Sequence, residues 1–152
     1  MNGKKVREVM TPTPVQVPPA TSVGDVASLM RARGVGSVLV VDGTGIVGLV
    51  TYRDLVVRVL ANDHGPDSQV GASATVRPLC VAASDDVDSV VELMRAYSVS
   101  RVPVLEKGVA VGIVSLGDLA AARIRASLPG DAGATASAST SAFPFGIRPG
   151  TA

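Results

Sequence analysis

An internal repeat limits the folds open to this chain more than any other property of its sequence. The segment GLVTYRDL at residues 48–55 is matched by GIVSLGDL at residues 112–119, a spacing of 64 residues. At that spacing the match runs without a gap over residues 9–56 and 73–120. Identical pairs include Val26/Val90, Met30/Met94, Val40/Val104, Gly48/Gly112 and Asp54/Asp118. Because each copy in a repeat protein forms one supersecondary unit, the sequence predicts one small unit built twice.

Each copy is predicted to form a strand, a helix, two strands and a second helix. A short strand over residues 14–17 precedes the first helix, whose apolar residues fall on one stripe. That stripe consists of Val23, Val26, Ala27 and Met30. Ser22, and Asp86 in the second copy, are predicted N-terminal caps, and Gly34 is a predicted left-handed end of the first helix. The runs SVLVV and IVGLV around DGTG predict a hairpin, and the last helix begins at YRDL.

The chain divides into two repeats, a linker and a tail. We predict a first repeat over residues 1–62, a polar linker over 63–72, a second repeat over 73–126 and a flexible Ala/Ser/Gly/Pro-rich tail over 127–152. A unit of about 50–60 residues buries its apolar surface poorly when it is alone. The two repeats are therefore expected to pack together around a pseudo-twofold axis, with two equivalent clefts between them.

Composition and charge argue against nucleic acid and membrane as partners. The formal net charge is +1 with scattered basic residues, and aromatic residues make up only 3% of the chain. A nucleic-acid binder needs a basic stripe or aromatic stacking platforms, although a ligand-regulated binder stays a third, weaker possibility. No apolar run reaches the length of about 18 residues that a membrane helix requires.

The reactive side chains of the chain favour a non-catalytic protein. Cys80, the only cysteine, lies in an apolar stretch, and we expect a buried, unreactive thiol in the reducing cytoplasm. His64, the only histidine, lies in the linker, where a solvated residue is expected rather than a metal ligand. No sequence pattern pairs a nucleophile with a general base. We therefore expect neither a metal centre nor enzymatic activity.

The repeated motifs resemble a known family. The segments GIVGLVTYRDL and VGIVSLGDL, with VREVMTPTPVQV at the start and VSRVPVLE before the second copy, resemble a tandem pair of cystathionine-beta-synthase (CBS) domains. The resemblance covers about residues 6–125. It implies an α/β fold of two β-α-β-β-α repeats and a cytoplasmic, homodimeric regulatory protein. Such a protein would bind AMP, ADP, ATP, NAD or S-adenosylmethionine between its repeats, with no other cofactor, and signal to a separate effector protein.

The residues around position 51 suit a nucleotide on chemical grounds alone. Thr51, Arg53 and Asp54 stand where a buried strand is predicted to pass into a helix, where free N–H groups and the helix dipole attract phosphate. An ionised carboxylate such as Asp54 can accept hydrogen bonds from both hydroxyls of a ribose. Apolar side chains that could wall an adenine are Val38, Val102 and Pro103.

The resemblance assigns further roles to individual residues. It implies that Asp54 and Asp118 hold the ribose, that Thr51 and Ser115 lie beside phosphate or ribose, and that Arg101 reaches the phosphate. Val15 and Leu79, at equivalent positions of the two copies, are further candidate ligand contacts. The first copy has Ser37 where the second has Arg101, and the second has Gly117 where the first has Arg53. The two clefts are therefore predicted to differ chemically.

Two features have simpler interpretations that the sequence leaves open. A Thr or Ser followed three residues later by an acid is also a helix capping box, so Thr51 and Asp54 could serve structure alone. The chain would then be a dimerising interaction module that binds no nucleotide. In the tail, Phe143 and Phe145 could belong to a loose terminus or could dock into an apolar groove.

Overall fold

The computed structural model describes residues 3–127, which form two four-stranded sheets with helices packed against them. The strands are β1 (Thr11–Pro12), β2 (Gln16–Val17), β3 (Ser37–Asp42), β4 (Gly45–Thr51), β5 (Thr75–Val76), β6 (Val81–Ala82), β7 (Arg101–Glu106) and β8 (Val109–Ser115). The α-helices are α1 (Val23–Arg33), α2 (Tyr52–Asp54), α3 (Val87–Ala96) and α4 (Leu116–Ser127). The predicted fold of two β-α-β-β-α repeats is confirmed. The hypothesis about Phe143 and Phe145 lies outside the described residues.

The two sheets exchange an edge strand between the repeats. Their strand orders are β2-β3-β4-β5 and β1-β8-β7-β6. In each sheet the two hairpin strands are antiparallel, and the short strand β2 or β6 runs parallel to the first strand of the hairpin, β3 or β7. The fourth strand comes from the opposite repeat, since β1 pairs with β8 and β5 pairs with β4. The predicted pseudo-twofold relation therefore includes a reciprocal strand exchange.

The exchange extends to the residues that precede β1 and β5. The Val6 N–H donates to the Asp85 carbonyl at 3.0 Å, and the Val70 N–H donates to the Thr21 carbonyl at 2.9 Å. Val6 is fully buried in the core of the second repeat, and Val70 is fully buried in the core of the first. The repeat therefore begins at Val6 and Val70, three residues before the sequence match becomes evident.

Part of the predicted linker is attached to the first repeat. The N–H groups of Val23 and Gly24 donate to the carbonyls of Ser68 and Pro66, both at 2.8 Å. The Gly71 N–H donates to the Pro19 carbonyl at 3.0 Å. Polar composition alone does not reveal this packing, because a single apolar side chain, Val70, anchors the segment.

The two faces of each sheet contribute to different hydrophobic cores. Each repeat packs one face of its hairpin against its own helices, with valines at the centre. The opposite faces of the two hairpins meet each other through Leu39, Leu49 and Ile113. Because successive side chains of a strand point to opposite faces, neighbours such as Val38 and Leu39 lie in different cores.

The hairpin predicted at DGTG is present between β3 and β4. The Thr44 hydroxyl and N–H both donate to Asp42 Oδ1, at 2.6 and 2.7 Å. The bond from the hydroxyl has the larger effect, and the two bonds together hold the pKa of Asp42 below its usual value. The turn is therefore closed by the side chain of its own first residue.

The helix predicted from YRDL onward is not a regular α-helix in the first repeat. After α2 the chain forms a π-helical turn over Leu55–Val59 and a 3-10 turn over Leu60–Asn62. The equivalent α4 is a continuous α-helix. Val56 and Val57 stand where α4 has Ala120 and Ala121. Since β-branched side chains crowd the preceding turn of a helix and alanine does not, the two repeats differ here.

Removal of the first helix cap tests the helix start. The Asp25 N–H donates to Ser22 Oγ at 3.1 Å, which confirms the predicted cap, and Gly34 ends α1 in the left-handed region at φ 62°. Asp86 occupies the predicted N-cap position of α3, but its carboxylate makes no cap bond and instead accepts from Lys5 Nζ at 3.0 Å. We expect Ser22→Ala to lower the free energy of unfolding by about 1 kcal/mol.

The matched control is Asp86→Ala at the equivalent position. This change removes only an exposed ion pair, which contributes between about 0 and 1 kcal/mol and weakens with salt. Urea unfolding at low and at high salt measures both variants. An equal loss of stability for the two variants at high salt would contradict the assigned cap.

Candidate functional site

Two clefts related by the pseudo-twofold lie between the repeats. The first, which we call the Asp118 cleft, has a volume of about 430 Å³. The second, the Asp54 cleft, has a volume of about 370 Å³. The Asp118 cleft is lined by Thr11, Pro12, Thr13, Pro14, Val15, Arg33, Gly34, Val35, Gly36, Ser37, Arg101, Ile113, Ser115 and Asp118. The Asp54 cleft is lined by Leu49, Thr51, Arg53, Asp54, Thr75, Pro78, Leu79, Ser98, Val99, Ser100 and Arg101. Both volumes fall in the range of small-molecule sites.

The hydroxyl and acid of each cleft form the capping box that the sequence allows. In the Asp118 cleft the Ser115 N–H and Oγ–H donate to Asp118 Oδ2 at 2.8 and 2.7 Å, and the Asp118 N–H donates to Ser115 Oγ at 3.1 Å. Thr51 and Asp54 make the same three bonds at 2.8, 2.8 and 3.3 Å. Because these bonds occupy only Oδ2, the second oxygen of each carboxylate is not needed for the cap.

The second carboxylate oxygen distinguishes the two clefts. Asp54 Oδ1 lies 3.5 Å from Nε of Arg58, one helical turn later. The residue equivalent to Arg58 in the second repeat is Ala122, which is buried. Within residues 3–127, no donor or cation lies on Asp118 Oδ1. The Asp118 cleft therefore offers a carboxylate oxygen for a ligand, whereas the Asp54 cleft has that oxygen in an ion pair.

Arg101 lines both clefts. It begins β7 opposite Ser115 in the strand pairing, and its guanidinium carbon lies 5.5 Å from the centre of the Tyr52 ring in the first repeat. Gly36 makes room for this pair, since a Cβ at position 36 would lie 3.0 Å from Tyr52 Cε1 and 3.2 Å from Arg101 Nη2. Arg101 was predicted to reach a phosphate in one cleft. In the structure it borders both clefts.

The predicted apolar contacts divide into two groups. Val15 and Leu79 line the Asp118 and Asp54 clefts at equivalent positions. Val38 and Val102 are 0% and 1% exposed within the cores of their own repeats, and Pro103 is also buried and lines neither cleft. Strand alternation turns the two valines toward the cores of their own repeats, and their contact with an adenine stays a prediction.

Sequence reasoning missed other lining residues of these clefts. Ile113 and Leu49 supply apolar surface at equivalent positions, and Thr11 and Thr75 come from the exchanged strands. The 64-residue pairing contains a signal for Thr11 and Thr75, because both are threonine in the two copies. Arg33 enters the Asp118 cleft from the end of α1, and nothing in its local sequence marks it as a site residue.

Two further sequence features lie outside the clefts. His64 is exposed, and within residues 3–127 no three His, Cys, Asp or Glu side chains are grouped so that they could hold a metal ion. Among the helices of the same residues, none combines the length and apolarity needed to span a membrane.

The thiol of Cys80 is partly buried rather than fully buried, and its Sγ donates to the Pro78 carbonyl at 3.3 Å. Burial raises the pKa of Cys80 above its usual value. The thiolate fraction is therefore lower than in a free cysteine at the same pH, so we expect alkylation near neutral pH to be slower in the folded chain than in the unfolded chain. Iodoacetamide labelling of the folded chain, with the urea-unfolded chain as control, measures this. Equal rates in the two states at pH 8 would contradict it.

Comparisons with known proteins agree with the doubled architecture. A family model for the CBS domain matches twice, at residues 6–61 and 70–125. The uncharacterized protein YlbB of Bacillus subtilis is 34% identical over 117 residues, which are 76% of this chain and 79% of that protein. Both matched segments begin where the structure places the repeats, at Val6 and Val70.

Solved structures show the same fold. A putative signal-transduction protein with CBS domains from Burkholderia ambifaria superposes with a TM-score of 0.76 at 28% identity, covering 85% of this chain and all of that one. A CBS domain pair solved with 5'-methylthioadenosine and S-adenosylmethionine superposes with a TM-score of 0.73 at 22% identity, covering 81% and 98% of the two chains. CBS pairs are commonly regulatory modules. This chain belongs to the CBS domain family, with one domain in each of its two repeats.

Proposed function

We propose that the chain is a regulatory sensor that binds an adenosyl nucleotide, with the Asp118 cleft as its stronger site. The observation that carries the proposal is the Asp118 carboxylate, which is held by Ser115 through one oxygen while the other has no donor or cation within residues 3–127. The candidate ligands are AMP, ADP, ATP, NAD and S-adenosylmethionine. The neighbour solved with two adenosyl compounds supports this class of ligand.

The chemistry of the Asp118 cleft suits the three parts of a nucleotide. The free carboxylate oxygen can accept hydrogen bonds from ribose hydroxyls. Arg33 and Arg101 bring two guanidinium groups, which match phosphate oxygens through paired N–H donors. Val15 and Ile113 offer apolar surface for an adenine ring. These groups would bind and orient a ligand, and we assign them a regulatory rather than a catalytic role.

A ligand in this cleft would contact both repeats. The exchanged strand β1, Val15 and Arg33 come from the first half of the chain, and Ser115 and Asp118 come from the second. A ligand shifts the packing of two units only when it binds one arrangement more tightly than another. We propose that such a difference in affinity is the signal, and that a separate effector protein receives it.

Thermal shift and calorimetry with the five candidate nucleotides at millimolar concentration test the proposal. A ligand present at 100 times its dissociation constant adds about 2.7 kcal/mol of stability, which raises the melting temperature of a chain of this size by about 5–10 °C. We expect a saturable shift with at least one nucleotide. No shift with any of them, in protein shown to be free of co-purified ligand, would overturn the proposal.

A second candidate function is a homodimeric interaction module. It is favoured by apolar side chains that stand exposed along the last helical segment of each repeat, which we call the helical face. These side chains are Tyr52, Val56, Val57, Leu60, Leu116 and Ile124. Where exposed apolar side chains form a contiguous patch, they commonly mark a protein interface.

Charge placed on the helical face tests the dimer. Leu60 is 67% exposed, so Leu60→Glu should leave the fold intact and should dissociate a dimer held by this face. Val109→Glu is the matched control, because Val109 is 64% exposed on the β7–β8 hairpin and lies outside the helical face. Sedimentation velocity measures the mass of each variant. A wild-type monomer, or a dimer that both variants retain, would contradict this interface.

A further inference from the structure

We propose that Arg101 is one cationic group shared by the two clefts, so that phosphate-bearing ligands in the two clefts weaken each other's binding. The inference rests on the proposed nucleotide-binding function and adds a rule for how the two sites are occupied. It concerns the charge of the ligand, because a ligand without phosphate has no need of Arg101.

The lining of the clefts supports one shared arginine. Each cleft has one arginine of its own, Arg33 in the Asp118 cleft and Arg53 in the Asp54 cleft. Among residues 3–127, Arg101 is the single residue that lines both. The second repeat supplies Arg101, but the first supplies Ser37 at the equivalent position, and this serine is buried and uncharged. The pseudo-twofold symmetry of the clefts is therefore broken at their charged centre.

The surroundings of Arg101 hold its guanidinium between the clefts. The ring of Tyr52 lies 5.5 Å from the guanidinium carbon, and Gly36 leaves the space in which the two side chains meet. The residue equivalent to Tyr52 is Leu116, so the second repeat has no matching aromatic ring. A guanidinium stacked on an aromatic face keeps its N–H edges free for hydrogen bonds. Arg101 can thus serve either cleft from its stacked position.

Two phosphates, one in each cleft, would compete for the single positive charge of Arg101. The first phosphate to bind neutralises the single positive charge of Arg101. A second phosphate then approaches the same guanidinium against the negative charge of the first, and like charges at such distances repel even through protein of high effective dielectric. Adenosine has the same base and ribose and carries no phosphate, so its two binding steps report only the intrinsic difference between the clefts.

Calorimetric titration of the wild-type chain with AMP and with adenosine tests the proposal. For each ligand the measured quantity is the ratio of the first to the second association constant. We expect this ratio to be larger for AMP than for adenosine by about tenfold or more, or AMP to occupy a single cleft where adenosine occupies two. Equal ratios, or one occupied cleft with both ligands, would overturn the shared arginine and leave the proposed function intact.

Arg101→Ser, which places in the second repeat the residue of the first, is the decisive variant. This variant should lower both association constants for AMP and leave both association constants for adenosine within about twofold of the wild-type values. The ratio of the first to the second constant for AMP should then fall to the ratio found for adenosine. If the ratio for AMP stays high in this variant, the difference between the two AMP association constants comes from Arg33 and Arg53, and the proposal is overturned. Arg101→Gln, which retains the length of the side chain, replaces this variant if the serine variant does not fold.

Arg53→Gly is the matched control, because glycine stands at the equivalent position 117. It should weaken only the AMP step of the Asp54 cleft. If neither AMP nor adenosine binds the wild-type chain, the inference fails, and the proposed function fails with it only when ADP, ATP, NAD and S-adenosylmethionine also give no thermal shift. That outcome is distinct from the equal ratios that would overturn the inference alone.

Discussion

Asp118→Asn is expected to weaken nucleotide binding by about 10- to 150-fold, which is the value of one hydrogen bond to a charged group. The Ser115 N–H and Oγ–H both donate to Asp118 Oδ2, so an asparagine must place its amide oxygen there. The amide NH₂ then occupies the place of Oδ1 and presents donors to ribose hydroxyls that need an acceptor. Calorimetric titration with the nucleotide found by thermal shift measures this loss.

Asp54→Asn is the matched control for this variant. Since Arg58 already pairs with Asp54 Oδ1, we expect a smaller effect on nucleotide affinity. Both variants lose the charge of a capping box, which lowers the free energy of unfolding by about 1 kcal/mol or less. The melting temperature of each variant with nucleotide is therefore compared with that of the same variant without nucleotide. A large loss for Asp54→Asn alone would assign the main site to the other cleft. A loss of stability with unchanged binding in both variants would leave the carboxylates with a capping role only.

Gly112→Ala is expected to have the largest effect on stability, at about 1–3 kcal/mol or more. Gly112 lies in β8 where the exchanged strand β1 crosses it, paired with Pro12. A Cβ at this position would lie 2.6 Å from Met10 Sδ and 2.8 Å from the Thr11 carbonyl oxygen. The backbone oxygen cannot move unless β1 moves away from the sheet. Because β1 also lines the Asp118 cleft, the same variant should weaken ligand binding.

Two other glycines provide the scale for this prediction. Gly48→Ala changes the equivalent glycine, where the closest atom would be the Ala74 Cβ at 2.8 Å and the Thr75 oxygen lies at 3.4 Å. We expect a smaller loss there, because the crowded backbone atom is farther away. Gly43→Ala has no atom within 4 Å of the new Cβ and should be nearly neutral. Urea unfolding ranks the three, and a Gly112→Ala variant as stable as Gly43→Ala would contradict the tight crossing of β1 and β8.

Much of the fold follows from local physical signals in the sequence. The apolar stripe from Val23 to Met30, the cap at Ser22 and the left-handed Gly34 predict α1 with its correct ends. These features act within one turn of a helix, so neighbouring residues are enough to reveal them. The 64-residue repeat then predicts the second copy, and with it the two clefts and the equivalent pairs Thr51/Ser115 and Asp54/Asp118.

The remaining features depend on residues that are distant in the chain. The burial of Val6 against the second repeat and of Val70 against the first could not be predicted from their polar surroundings. The burial of Val38 in the core of the first repeat could not be predicted either, because apolar character does not show which face of a strand meets which core. The shared position of Arg101 arises from Gly36 and Tyr52, which lie in another repeat.

The exchanged edge strands also set an order of events during synthesis. The first repeat lacks β5 and its core residue Val70 until the chain has been made well beyond α2, so it stays incomplete while residues 3–66 emerge from the ribosome. The second repeat, by contrast, finds β1 and Val6 already made when its own hairpin appears. Neither half can close its sheet alone, so the two are expected to fold in a single cooperative step late in translation.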